Sequence, residues 1–574
     1  MYPSPEYEAV SYRWGSSERT ESIVLNGTTF PITRSAYDLL MARRSVWRPR
    51  TVWIDAICIN QSDNTEKAAQ VQLMRDIYHR AYRVVIFTGG DWTARLAAVL
   101  LYETLAATYQ FDESELNLNK LTNRERSTTK WKALKQLILN DYFTRAWVVQ
   151  EVAVGQKVEL YYGGLYIDWS AFLHLAMHLA HPHRREMLTL GDEKDRAYLG
   201  TACLENIAIM SFLRPDSAEF GDDLSKRNGL DAVLFSTFTF RATDPRDKVF
   251  AVLGIARYDD PEDLLMPNYS KSMEQVHRDT IEHLFFHSEQ PSIHMLALAG
   301  TGVSSKRLAM PSWVPDLNQE YLWFPYGHFI GLEGKFQASG ESQPEFQRGE
   351  IPGSLSIKGI ICDTVAFLGI TTVNEGEIQP RGQQDALHVT RRKYTIVTDT
   401  VASIRKHKNM WPDEVNVVET ELWLALLAGR INRKRPLQHH DWQRVFRHWV
   451  GILEKLERTE GRSPQSIFDQ IDPEDEGSDV EEGDIVTYDC ALEGCYGRRF
   501  AITKHGRICW VPPYAETGDV VFIPLGAQTP FLVRAKSKTD DHDVYELVGE
   551  SYIQGIMWGE LMETEHPESV ITLI

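Results

Sequence analysis

The stretch TVWIDAICINQ, residues 51–61, decides how this chain is read. Val52, Trp53, Ile54, Ala56 and Ile57 give an apolar run suited to a strand buried on both faces, as in a parallel sheet. Asp55 interrupts that run, and the segment ends in Cys58, Asn60 and Gln61. An acid, a thiol and two amides at the end of such a strand fit one place well. In open α/β sheets, ligand sites gather beyond the carboxyl ends of the strands.

Working outward, strand and helix signals alternate. YEAVSY at 7–12 is a short strand candidate, and IVLNGTTFPI carries an Asn26-Gly27 hairpin turn. A helix is expected over about 35–44, and strand 51–57 follows it. Asp63 can cap the next helix, with Glu66 three residues on and Val71, Met74, Ile77, Tyr78 and Ala81 at helical spacing. RVVIFT at 83–88 and residues 157–162 are further strands, with a helix expected over 141–154 between them. Read as a set, the strand ends bring Arg13-Trp14, Asn60-Gln61 and Gly89-Gly90 together. Beyond about 165 the pattern turns helical. The motif DPRDKVFAVLG at 244–254 reads as one compact capped helix: Asp244 as cap, Pro245 at the first position, Gly254 after the last turn.

The expected fold class is α/β. A mostly parallel, flavodoxin-like sheet flanked by helices occupies 1–165, and a helical extension 166–310. A mixed α/β region with short strands and turns covers 311–471, an acidic linker 472–484, and a small β-rich domain 485–574. The chain has 574 residues, a formal charge of −19, 43% hydrophobic residues and 15 tryptophans, which describes folded, multidomain material. The acidity argues against a general nucleic-acid or anionic-membrane binder. The basic stretch from Arg430 to Arg447 reads as a solvated helix face. The six scattered cysteines suit a reducing compartment, and no apolar run approaches the roughly 18 residues of a membrane span. The expected location is cytoplasmic.

Chemistry centres on the helix over 141–154. Trp147, Gln150 and Glu151 share a stripe with Phe143, Ala146 and Val154, and the valines between leave little of that helix wet. A carboxylate in such a setting pairs with an arginine, Arg13 or Arg145, or faces a cavity with a raised pKa. Gln70 leans toward the same strand ends or makes a buried structural hydrogen bond. Cys58 with His79 lacks a nucleophile turn and reads as a small thiol. The spacings of Cys490, Cys495, His505 and Cys509 miss the usual paired zinc form, so no metal is expected. Glycine-rich phosphate cradles are absent.

YEAVSYRWG, VWIDAICINQSDNTEKAAQVQLMRDIYHRA and RAWVVQEV, in that order, resemble the heterokaryon-incompatibility (HET) domain of fungal proteins. DPRDKVFAVLG, PSWVPDL, GDVVFIPLGAQTPFLVR and YELVGESYIQGIMWGE resemble segments that follow it in incompatibility proteins. The resemblance implies non-self recognition after cell fusion and programmed cell death, with self-association or another fungal incompatibility protein as partner. Neither nucleic acid nor membrane is expected as a partner. Family members usually carry more chain before YEAVSY than the six residues found here, so an edge element is expected to be missing or the chain to begin late.

More remotely, AVSYRWGS, TVWIDA, RVVIFT and AWVVQEV resemble the successive elements of TIR domains that hydrolyse NAD. That likeness implies Glu151 as the catalytic glutamate, Tyr12, Arg13 and Trp14 lining a nucleotide cleft, and Asp55 at its floor. Asn60, Gln61 and Trp147 complete the expected wall. NAD is then a substrate, and no cofactor is required. The alternative is a non-enzymatic interaction module.

Overall fold

The computed structural model describes residues 6–90, 94–99, 101, 129–180, 197–214, 229–257, 265–287, 293–300, 310–319, 325–326, 336–371, 386–407, 422–428, 439–459, 488, 495, 497–538, 543–563 and 566–574. The acidic run at 472–484, Cys490 and the arginines at 430–435 lie outside them. The chain divides into two compact units, Met1–Val276 and His277–Ile574.

The first unit is built on a five-stranded sheet. Its strands are β1 (Glu8–Tyr12), β4 (Val52–Trp53), β5 (Arg83–Phe87), β6 (Val158–Tyr162) and β7 (Leu165–Asp168), in the order β4-β1-β5-β6-β7. Between β1 and β4 a separate hairpin joins β2 (Glu21–Leu25) to β3 (Thr28–Ile32), turning at Asn26-Gly27. The pairs β4–β1, β1–β5 and β5–β6 are parallel, and only β7 runs the other way. This is the doubly wound order in which the second parallel strand lies on one side of the first and the third on the other. In sheets of this order ligands bind beyond the carboxyl ends of the strands at the switch point, here between β1 and β5. Every residue of β1 is buried, as a central strand requires.

Two expectations need correction here. The stretch 51–57 is not a long strand buried on both faces. Strand β4 is two residues of half-buried edge, and at Asp55 the chain turns into the short helix Asp55–Cys58. The Asp55 carboxylate accepts the Ala56 N–H at 2.7 Å, so the acid that interrupts the run starts a helical turn. Likewise 141–154 is not one helix. The 3-10 turn Asp141–Thr144 and the helix Ala146–Ala153 meet at an extended Arg145. There Ala146 N donates to Arg241 O, and Arg241 N to Thr144 O, so a neighbouring segment takes up the backbone groups that a continuous helix would have paired.

The helix Asn64–Arg80 follows its cap as read: the Asp63 carboxylate accepts from Thr65 N and Glu66 N. Glu66 reaches past the cap to accept from Asn60 N at 3.0 Å. DPRDKVFAVLG is less regular than expected, with only Asp247–Phe250 helical. Asp244 caps a turn at Arg246 N instead of that helix, and Asp247 is buried.

In the second unit one strand organises the rest. β9 (Leu355–Thr371) replaces the expected series of short strands and pairs with the short β8 (Phe346–Arg348). It then pairs in turn with β16 (Glu568–Leu573), β12 (Val520–Pro524) and β10 (Arg499–Thr503). β12 continues to β13 (Phe531–Lys538), β13 to β14 (Asp543–Glu550), and β14 to β16, which closes a barrel. β11 (Ile508–Val511) and β15 (Tyr552–Ile553) extend the sheet beyond β10. At Gly359, where β9 passes from β16 to β12, a Cβ would stand 2.3 Å from Ile523 O, so only glycine permits the approach. The helices Ala386–Lys406, Leu422–Leu427 and His439–Thr459 contribute Val397, Trp423, Phe446 and Trp449 to a core shared with Phe500, Trp510 and Tyr552.

Candidate functional site

Helix Ala146–Ala153 crosses behind β1 and carries Glu151 into the interior, where it is 3% exposed. Ser11, in the buried strand β1, donates its hydroxyl to Glu151 Oε2. Ser11 Oγ also meets the Tyr142 hydroxyl at 2.5 Å. The Tyr78 hydroxyl donates to Val10 O at 3.2 Å and also acts on the Glu151 carboxyl, drawing it down. Tyr142, Ser11, Glu151 and Tyr78 thus form one connected polar group inside an apolar shell.

Burial raises the Glu151 carboxyl to about 7. The Arg145 charge opposes that rise, Asp55 adds to it, and the Ser11 and Tyr78 hydroxyls hold it back. No arginine pairs directly with Glu151 among the described residues. Arg13 makes an exposed ion pair with Asp141 at 3.0 Å, and Arg145 donates to the carbonyl of Tyr12 at the end of β1. The carboxyl therefore sits where it can gain or lose a proton near neutrality.

Nearer the surface, the Trp14 indole donates to Asp55 Oδ2 at 2.8 Å, and Ser35 holds the Trp14 carbonyl. Burial also raises Asp55, against the pull of Arg145. Tyr12 is 2% exposed, and its hydroxyl has no hydrogen-bond partner among the described residues. An orphaned buried hydroxyl is uncommon and costly. Asp55, Arg145 and Glu151 all act electrostatically on this phenol, so two carboxyls, one guanidinium and one unused hydroxyl converge under the end of β1.

The other expected residues lie apart from this group. Asn60 caps its own turn by accepting from Ser62 N, and Gln61 donates to Asp55 O at 3.4 Å. Gln150 is buried against Gly254 and, in the amide orientation that satisfies it, donates to Ala251 O. Trp147 donates to Asp247 at 3.0 Å, and Tyr269 donates to the same carboxylate at 2.7 Å. Burial raises Asp247, and Lys67, whose ammonium stands 3.9 Å from the Tyr269 ring centre, opposes the rise. That second network ties DPRDKVF to the helix carrying Glu151. Cys58 is exposed at the end of its turn, and His79 contacts Val154 O. Among the described residues no cluster of three or more His, Cys, Asp or Glu can hold a metal ion.

Sequence reading missed Ser11 and Tyr142. The signal was a serine inside a strand buried on both faces, since a buried hydroxyl demands a partner.

The family model of the heterokaryon incompatibility (HET) protein matches residues 7–151, from the residue before β1 to Glu151 itself. A second model, the Het-6 beta-barrel domain, matches residues 353–572 and spans β9 to β16. The chain carries a HET domain and a Het-6 barrel domain. Heterokaryon incompatibility protein 6, OR allele, of Neurospora crassa is 24% identical over 665 aligned positions, covering 99% of this chain and 91% of that protein. No solved structure matches this HET chain. The HET match ends on Glu151, so the polar group around it lies within the HET domain.

Proposed function

We propose that this incompatibility protein acts through its HET domain as a hydrolase of NAD, with Glu151 as the acting carboxyl and cell death as the outcome. The observation that carries this reading is the Glu151 group: a buried carboxyl near neutrality, joined to Ser11 and Tyr78, beside a second carboxyl and the orphaned Tyr12 hydroxyl. The β1/β5 switch point is the position at which doubly wound sheets bind nucleotides.

In the reaction, water adds to C1′ of the nicotinamide ribose, the C1′–N bond breaks, and nicotinamide, ADP-ribose and a proton leave. Positive charge develops on the ribose as the bond stretches. Glu151 would stabilise it in its ionised form, and Asp55 lies close enough to reinforce that field. Trp14 offers a ring for stacking once its bond to Asp55 opens. Because Glu151 is covered at rest, turnover requires that opening, which self-association or a partner incompatibility protein would drive.

The test is nicotinamide release by the purified full-length chain, alone and when forced to assemble by a fused oligomeriser. Release on assembly that Glu151→Gln abolishes is expected. No release from the assembled wild type, or release that survives the substitution, overturns the hydrolase reading.

One observation favours a second reading, a non-enzymatic docking module: Ser11, Tyr78 and Tyr142 seal Glu151 from solvent. On that reading cell death persists in Glu151→Gln.

A further inference from the structure

The carboxyl edge of the HET sheet holds the Glu151 group; the opposite, amino edge carries a different kind of surface. Glu8 opens β1 and is surrounded by Arg43, Arg50 at 3.2 Å and Arg83 at 2.6 Å. Glu159 in β6 takes Arg83 at 2.6 Å and Lys157 at 2.9 Å. Two carboxylates therefore face four cations before the neighbouring loop is added.

That loop, residues 44–50 between helix Arg34–Arg43 and β4, reads RSVWRPR. Ser45 Oγ accepts from Trp47 N and Arg48 N at 3.2 and 3.3 Å, which fixes the turn. At its tip Val46 is 92% and Trp47 91% exposed, more than any other large hydrophobic among the described residues. Arg44 and Arg48 flank them, exposed and outside any ion pair among those residues. Tyr82, at the entry to β5 on the same edge, is 57% exposed. Glu6 and Asp168 are further acids here, Asp76 is paired with Arg80 at 3.4 Å, and the edge stays net positive on a chain of −19.

Leaving an indole and an isopropyl group in water at a pinned loop tip is unfavourable unless something covers them. The geometry points to a peripheral docking edge for an anionic lipid surface. Val46 and Trp47 enter the interface, and Arg44, Arg48 and the cations around Glu8 and Glu159 meet the headgroups. The tip is convex, so lipid accepts it without a preformed pocket, and indoles favour that depth. The arginines match anionic headgroups, on a chain whose overall charge of −19 otherwise opposes such adhesion. Docked this way, the carboxyl edge with Glu151 turns away from the lipid. The inference does not depend on catalysis.

The test is co-sedimentation of the full-length protein with phosphatidylcholine vesicles, with and without phosphatidylserine. Binding is expected only when phosphatidylserine is present, and added salt should release it. Trp47→Ala should weaken it roughly tenfold, and the pair Arg44→Glu and Arg48→Glu should abolish it. These side chains are exposed, so unchanged thermal unfolding of the variants keeps the comparison clean. The proposal is overturned by no binding to phosphatidylserine vesicles, by equal binding to phosphatidylcholine alone, or by undiminished binding of Trp47→Ala. It is also overturned if the wild type self-associates and Trp47→Ala is monomeric, because the tip then faces a second copy.

Discussion

At the residue scale, the protonation of Glu151 sets both its chemistry and its contribution to folding. Its carboxyl is raised in the folded chain to about 7, from an ordinary value of 4.5. Below 4.5 both folded and unfolded chains hold the proton, and stability is unaffected by this group. Between 4.5 and 7 the folded chain keeps the proton that the unfolded chain has lost, so stability falls as pH rises and levels off above 7. The full span is worth about 3 kcal/mol, at roughly 1.4 kcal/mol per unit. Glu151→Gln carries no charge to bury. It should match the wild type near pH 4.5 and gain on it progressively toward pH 8 in denaturant titrations, while losing any NAD turnover. A stability difference that does not change between those pH values would show that Glu151 is ionised in the fold. The sequence made Glu151 legible because a carboxyl on an apolar helix must be paired or raised. It did not make Ser11 or Tyr142 legible, since their meeting depends on how β1 packs against residues more than a hundred positions away.

Local chemistry explains which elements could be read in advance. The helix Asn64–Arg80 was legible because its cap is written in adjacent residues, and Asp63 Oδ1 does accept Thr65 N at 2.9 Å and Glu66 N at 3.1 Å. Asp63→Ala should therefore cost about 1 kcal/mol of stability, read as a shift in the urea midpoint without a change in slope. A negligible shift would mean that Asn60 and Glu66 hold the turn alone. The break at Arg145 was not legible. Nothing near Arg145 disfavours a helix, and the interruption comes from Arg241, whose backbone pairs with Thr144 and Ala146. Strand 51–57 failed for a related reason. Its apolar residues serve a short edge strand and then a helical turn, and period alone cannot separate a buried strand from a buried turn. The same limit hid β9, whose length is set by three successive partners that follow it in sequence after the helices between Ala386 and Thr459.

Across the whole molecule, each unit encloses a charged group in its interior, but with opposite logic. Among the described residues no cation pairs directly with Glu151 in the first, whereas in the second a buried arginine pairs with the buried Glu550. Glu550, at the end of β14, meets Arg498 at 3.0 Å, Thr529 Oγ1 at 2.9 Å and Tyr326 N at 3.0 Å, and the Arg498 guanidinium also donates to Glu550 O at 2.7 Å. Arg498 lies 3.9 Å from the Tyr326 ring centre. This one group ties the start of β10, the end of β14 and the approach to β13, so it acts as a fastening for the barrel and not as a reactive site. Burial raises the Glu550 carboxyl from its ordinary value and outweighs the opposing pull of Arg498. Arg498→Met removes that cation and leaves a carboxylate in an apolar interior, a change that costs roughly 3–5 kcal/mol when a buried pair is broken on one side. Protonation relieves the penalty, so the loss should be smaller at pH 5 than at pH 8. Hydrogen exchange resolved by peptide should show the loss in β9, β10 and β14, with the strands β1 and β5 unchanged. If the variant unfolds like the wild type at pH 8, the barrel is held by its apolar core and backbone ladder, and the ion pair contributes only geometry.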